Sequence, residues 1–356
     1  MKALITAGGR ATRLRPITHT TNKHLIPLAN KPMIFYAIEK IAEAGVTEIG
    51  ININIGDKEI QQAVGSGDHW GVKITYIEQS GGPRGLAHIV KNAKDFLGDD
   101  SFIFYLGDNI ILGSIKRFVE KFNNDHLNAL LAFAKVPDPE RFGVPEIRDG
   151  KVIKIEEKPS QPKSNLAQTG IYIYDHNIMD AVENIPPSAR GEYEISDANT
   201  YLIDKGFNVG YEEITGWWKD TGKPEDLLEG NQLILRDLAE KEKEADIAPG
   251  VTIQGKVRVE KGSYIGGKSL IRGPVIIGKN CVIQDSYIGP YTSIGDNVRI
   301  TNTEIENSII LERAEIKCGK RIVDSLVGHS SIITASGDSL PWGHKLIVGD
   351  NSVVEL

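Results

Sequence analysis

The sequence predicts an α/β domain built on a mostly parallel sheet, followed by a parallel β-helix. Three observations carry this: strands and helices alternate over about the first 235 residues, a charged break falls near Arg236–Asp246, and a six-residue aliphatic register follows it.

Lys2–Ala7 reads as a short apolar strand, ending at Gly8-Gly9. Pro32 opens a helix in which Ile34, Ile38 and Ile41 keep helical spacing, and Gly45 is placed to stop it. Glu48–Ile55 and Val72–Ile77 follow as strands. Gly85–Leu97 reads as a helix, and Ser101–Leu106 as a buried strand running into Gly107-Asp108-Asn109. This order implies parallel strands with helices on both faces, and in such sheets ligands sit beyond the carboxyl ends of the strands. Both the Gly8-Gly9 turn and Asp108 fall at such ends. After RDLAEKEKEAD, Ile265, Ile271, Ile277 and Ile283 recur every six residues. Ile288, Ile294 and Ile300 continue after a five-residue step, and Ile310, Ile316 and Ile322 resume it. One inward aliphatic residue per hexad marks a coil that buries its side chain on the next, whereas an antiparallel strand would alternate every two residues. Residues 247–335 would then supply about five coils. The expected division is 1–236, a linker 237–246, and 247–356.

The net charge of −7 argues against a nucleic-acid-binding surface. No apolar run approaches the ~20 residues of a membrane helix. MKALITAGG lacks an apolar core with a cleavage site, and Cys281 and Cys318 make no disulfide framework, so a cytoplasmic protein is expected. The charge distribution is more telling. No Asp or Glu precedes Glu39, while Lys2, Arg10, Arg13, Arg15, Lys23 and Lys31 do, which equips this stretch to receive an anion.

A glycine-rich turn after a first strand offers backbone N–H groups to a phosphate. This one lacks the GK[ST] ending of a P-loop and the G-x-G-x-x-G spacing of a dinucleotide turn. Asp108, at the end of a buried strand, is either a magnesium ligand or a helix N-cap.

GGRATRLRPIT, with NKHLIPLANKPMI after it, resembles the signature of the sugar nucleotidyltransferases. The resemblance spans the chain: FYLGDN at 104–109, FGVPEI at 142–147, EEKPSQPKSN at 156–165, SARGEYEISD at 188–197 and GWWKDTG at 216–222. It implies a Rossmann-like catalytic domain and a left-handed parallel β-helix. It also implies Mg²⁺-dependent transfer of a thymidylyl group from dTTP to glucose 1-phosphate, with a uridylyl group from UTP, or another sugar 1-phosphate as acceptor, as the alternatives. The attacking phosphate is already an anion, so positioning and charge stabilisation suffice for catalysis.

By the same resemblance Arg13, Lys23 and Asp108 are catalytic, and Asp108 and Asp220 hold the metal. Gly8, Gly9, Thr12, Arg13, Lys23, Gln79 and Gly85 bind the nucleotide, Gln79 reading the base edge. Leu106, Gly143, Glu157, Lys158, Thr169, Tyr172, Arg190 and Trp218 bind the sugar phosphate. A homo-oligomer is implied as well. Three positions depart from the family pattern. Ala11 replaces a glycine, so its loop is expected to avoid a positive φ. His24 replaces a glutamine and is expected to keep a donor for phosphate. Gln168 stands where short-form enzymes tend to have an apolar residue near the sugar. Two other functions stay open: a sugar-nucleotide-binding subunit without turnover, and a β-helix acyltransferase with His329 or His344 as base.

Overall fold

The computed structural model describes residues 1–9, 11–239, 245–335, 348 and 350–354. The chain forms two compact units. The first comprises Met1–Arg10, Asn22–Leu25 and Met33–Asp220; the second comprises Ala11–Thr21, Ile26–Pro32 and Thr221–Leu356.

The first unit is organised by a seven-stranded sheet. Its order is Val209–Glu213, Ala129–Lys135, Leu166–Tyr174, Phe102–Leu106, Lys2–Thr6, Glu48–Ile53, Lys73–Glu78. Every neighbouring pair is parallel except those of Leu166–Tyr174, which runs antiparallel to both partners. Both faces are buried, so successive residues of one strand feed different cores. Ala3 and Ile5 pack with Ile34, Ile38 and Ile41 of the Met33–Glu43 helix, while Leu4 packs with Phe102, Phe104 and Tyr174. The chain leaves Lys2–Thr6 towards one side of the sheet and later returns on its other side at Phe102–Leu106. That reversal leaves a crevice at the carboxyl ends of these two strands. The helix expected over 85–97 is two helices, Leu86–Asn92 and Lys94–Leu97, because Ala93 leaves helical geometry at φ −89°, ψ 5°.

In the second unit three parallel sheets stack coil on coil, forming the left-handed parallel β-helix. The aliphatic register places Ile265, Ile283, Ile300, Ile316 and Ile333 in one column. Ile271, Ile288, Ile305 and Ile322 form a second column, and Ile277, Ile294, Ile310 and Val327 a third. Hydroxyls satisfy the backbone at the corners: Ser269 Oγ accepts from Ser286 N, and Ser286 Oγ from Thr303 N.

Two boundaries differ from the sequence expectation. Asp246–Ile247 already pairs with Tyr264–Gly266 as the first strand of the β-helix; of the expected linker, 240–244 lie outside the described residues. The helix Pro224–Arg236 joins the second unit because Asn231 is wholly buried there. Its Oδ1 accepts from Ala29 N at 2.8 Å and Ser293 Oγ at 3.0 Å, and its Nδ2 donates to Tyr291 O at 3.0 Å. Asn30 Nδ2 donates to Ile294 O at 2.7 Å, which ties the Pro27–Leu28 and Lys31–Pro32 hairpin to the same body.

Candidate active site

The crevice floor is made by two strand ends held together. Gly107 N donates to Thr6 O at 3.1 Å, and a side chain at Gly107 would run into that carbonyl. The next residue, Asp108, therefore emerges beside the end of the first strand. Lys23 Nζ lies 2.5 Å from Asp108 Oδ2, and Asn109 Nδ2 donates to Oδ1 at 2.9 Å. Burial pushes the Asp108 carboxyl up, but Lys23, His24 and the Asn109 donor outweigh it and hold the group well below the usual carboxylate range.

Lys23 is positioned by the residues on either side of it. Asn22 Nδ2 donates to Asp57 Oδ2 at 2.7 Å and to Ala7 O at 3.3 Å. Asn22 Oδ1 is 3.0 Å from both the His24 backbone N and its Nδ1. His24, expected to offer a donor to phosphate, is instead 5% exposed beneath Gly107, so its ring belongs to the floor. Burial lowers its pKa to about 4; Asp108 and Asp57 pull upward and Lys23 downward.

Asn109 links this centre to the rest of the crevice, and the sequence did not single it out. Its Oδ1 accepts from Gly170 N at 3.1 Å and Trp218 Nε1 at 2.7 Å while its Nδ2 holds Asp108. The Trp218–Asp220 strand pairs antiparallel with Asn109–Ile111, and the register sets Asp220 opposite Asn109. The backbone of Asp220 thus lies beside that of Asn109, the residue after Asp108, although 112 residues separate the two aspartates in the chain.

On one flank Gly8 abuts three amides: a Cβ there would lie 3.2 Å from Asn54 Oδ1, 3.3 Å from Gln79 Oε1 and 3.5 Å from Asn52 Oδ1. Gly9, at φ 108°, is clamped twice by Asn54, its N–H donating to Oδ1 at 3.0 Å and its carbonyl accepting from Nδ2 at 3.2 Å. Gly85 has no room for a side chain because Tyr193 O would lie 2.5 Å from it.

On the other flank Glu157 Oε2 accepts from Ser196 Oγ at 2.7 Å. Its Oε1 lies 3.4 Å from Arg190 Nη2 and 3.7 Å from Lys158 Nζ. Arg190 is also held by Glu194 at 2.8 Å. Gly143 faces Ser196, Gln168 and Glu157 together, and Leu106 and Trp218 border this flank through Gly170 and Asn109. Two expected sugar contacts are turned elsewhere. The Thr169 hydroxyl donates to Ala132 O at 2.9 Å, and the Tyr172 ring is buried against Phe104 and Tyr174.

Thr12 and Arg13 are exposed on a short 3₁₀ turn of the second unit, and Arg10 and His344 lie outside the described residues. Ala11, expected to avoid a positive φ, adopts φ 43°, ψ 40°. Its carbonyl accepts from Leu14 N and Thr18 Oγ1, and these bonds offset a left-handed alanine that costs roughly 1–2 kcal/mol. His329 is exposed at a β-helix turn, beside Glu312 and Arg313.

A nucleotidyl transferase family model matches residues 2–237. The chain belongs to the nucleotidyl transferase family. It is 46% identical to a glucose-1-phosphate thymidylyltransferase of Streptomyces antibioticus, over 100% of this chain and 99% of that one. It is 44% identical to the low-salt glycan biosynthesis nucleotidyltransferase Agl11 of Haloferax volcanii, over the full length of both. A Bacillus anthracis crystal structure described as a glucose-1-phosphate thymidylyltransferase, in complex with sucrose, superimposes with a TM-score of 0.63 at 41% identity. It covers 68% of this chain and 98% of its own.

For this nucleotidyl transferase His24 gives a pH prediction. Its folded pKa lies below the unfolded value of about 6.5, so the unfolded chain binds the extra proton and stability falls as pH drops from 6.5 towards 4. The loss amounts to about 3 kcal/mol over that window. Urea unfolding at pH 7.5 and pH 5 should show a steeper acid loss for the parent than for His24→Gln.

Proposed function

We propose that the chain transfers a thymidylyl group from dTTP to α-D-glucose 1-phosphate, releasing dTDP-glucose and pyrophosphate in the cytoplasm. The observation that carries this reading is the Lys23–Asp108–Asn109–Trp218 chain of contacts. It sets a charged centre between a glycine-amide flank and a Glu157–Arg190 flank. Full-length similarity to a thymidylyltransferase supports it.

An oxygen of the sugar phosphate attacks the α-phosphorus of dTTP. The new P–O bond forms as the bond to the β-phosphate breaks, and pyrophosphate leaves with that electron pair. Lys23 and Arg13 offset charge on the phosphates, the latter by resemblance alone. Lys158 and Arg190 orient the attacking phosphate, Glu157 and the Gly143 main chain take sugar hydroxyls, and Gln79 and Gly85 take the base. Magnesium is bound by carboxylate and phosphate oxygens, which suits a site offering two aspartates. Asp108 and Asp220 would hold it, and bound there it supplies charge neutralisation across both substrates. Both Asp108 oxygens are already engaged, by Lys23 and Asn109. For Asp108 to hold the metal, Lys23 would have to give up its contact with Oδ2 and could then offset phosphate charge instead.

A pyrophosphate-release screen of five nucleoside triphosphates against several sugar 1-phosphates tests the assignment. dTTP with glucose 1-phosphate should give the highest kcat/KM; release with UTP alone, or none at all, overturns it. Asn54 provides a narrower check. Asn54→Ala removes both bonds on Gly9, each contributing about 1 kcal/mol. The KM for dTTP should then rise roughly 5- to 30-fold while the KM for the sugar phosphate stays put.

A further inference from the structure

Gln168 sits on the Leu166–Tyr174 strand and is only 6% exposed. The pairing of that strand with Ala129–Lys135 slips between Gln168 and Tyr172, and such irregularities re-aim side chains beside active sites. Here the slip directs the amide to the face of Gly143. A Cβ on Gly143 would meet Ser196 Oγ at 2.7 Å, Gln168 Oε1 at 2.9 Å and Glu157 Oε2 at 3.3 Å. Gln168 Oε1 lies 3.4 Å from Ser196 Oγ, but its buried Nε2 has no acceptor among the described residues. The Tyr172 phenol is close enough for the amide to pull its pKa down against burial, yet no hydrogen bond of ordinary length and angle joins the two. An unmet buried amide costs roughly 1–3 kcal/mol, and an aliphatic side chain of similar size would avoid that cost.

We infer that Gln168 is a specificity-determining residue of the sugar subsite, its Nε2 donating to one hydroxyl oxygen of the sugar 1-phosphate. The inference rests on the proposed function and deepens it. Neighbouring Glu157 is an acceptor for hydroxyl protons, so Gln168 supplies the complementary donor. A sugar lacking that hydroxyl leaves the amide buried and unpaired in the complex, and discrimination follows from that penalty.

The test compares wild type with Gln168→Leu, using dTTP with glucose 1-phosphate and its 2-, 3-, 4- and 6-deoxy analogues. For wild type, kcat/KM should fall about 5- to 150-fold for one analogue and much less for the others. Gln168→Leu should show a similar fall with glucose 1-phosphate itself, no further fall with that one analogue, and an unchanged KM for dTTP. Its Tm should hold or rise, since an unpaired buried donor is removed. Full activity of Gln168→Leu on glucose 1-phosphate overturns the inference. So does a uniform loss across all the analogues, which marks a merely structural role. Failure of the wild type to turn over any sugar 1-phosphate sinks the proposed function and this inference with it, a result distinct from the other two.

Discussion

Asp108→Asn is expected to lower turnover at least 100-fold while leaving the far-ultraviolet circular dichroism unchanged. The asparagine keeps an oxygen for Lys23 but loses the charge that, with Asp220, would bind magnesium. Removing one electrostatic stabiliser from a preorganised site typically costs 10²–10³ in kcat. The pair is strongly biased towards its ionised form: burial opposes the carboxylate charge, yet Lys23 2.5 Å away and the Asn109 donor hold it ionised. Pyrophosphate release measured against magnesium concentration checks the assignment. Wild type should lose activity to a chelator and regain it with added Mg²⁺, and the variant should gain little at any concentration. An Asp108→Asn enzyme retaining most of its rate in Mg²⁺ would show that the metal is held elsewhere.

Asn109→Ala is expected to cost both stability and rate. The side chain is 3% exposed and serves three partners: Asp108, Gly170 N and Trp218 Nε1. Alanine leaves Gly170 N a buried donor without an acceptor, at roughly 1–3 kcal/mol, and unpairs the half-buried Trp218 Nε1 at up to about 2 kcal/mol more. A 356-residue protein of ordinary stability survives that loss. Asp108 also loses its lateral restraint, and the Trp218–Asp220 strand loses its anchor. Denaturant unfolding should show a loss of about 2–5 kcal/mol. Stopped assays should show kcat reduced about 100-fold, as expected when a charge-bearing group is held in the wrong place. Stability loss with normal kcat would mean that Asn109 is structural only.

The features legible in the sequence were those with local or periodic signals. The isoleucine hexads announced the β-helix because each coil repeats one demand on one side-chain type. The strand ends at Gly8 and Gly107 were visible because glycine is needed where backbones meet. Asn22, Asn109, Ser196 and Glu194 were not visible. Small polar residues are common on any surface, and theirs is a role set by partners distant in the chain: Asn109 meets Gly170 and Trp218 only once the sheet exists. The sequence misled at His24 and Ala11 for related reasons. Burial, not residue type, decides that His24 is neutral, and two hydrogen bonds to its carbonyl hold Ala11 left-handed. The inclusion of Ala11–Thr21 in the second unit had no signature either.

The isoleucine columns also set a unit of length for the protein. Partners in successive coils are 16 to 18 residues apart, as from Ile265 to Ile283, from Ile288 to Ile305 and from Ile294 to Ile310. The repeat can therefore lengthen or shorten only in steps of one whole coil if inward residues are to stay inward. The contacts of Asn231 with Tyr291 and Ser293, and of Gln232 with Asn307, fix the coils up to that point. Insertion of a whole coil would keep both new junctions aliphatic on aliphatic, whereas a half-coil indel would turn a column of isoleucines out into water.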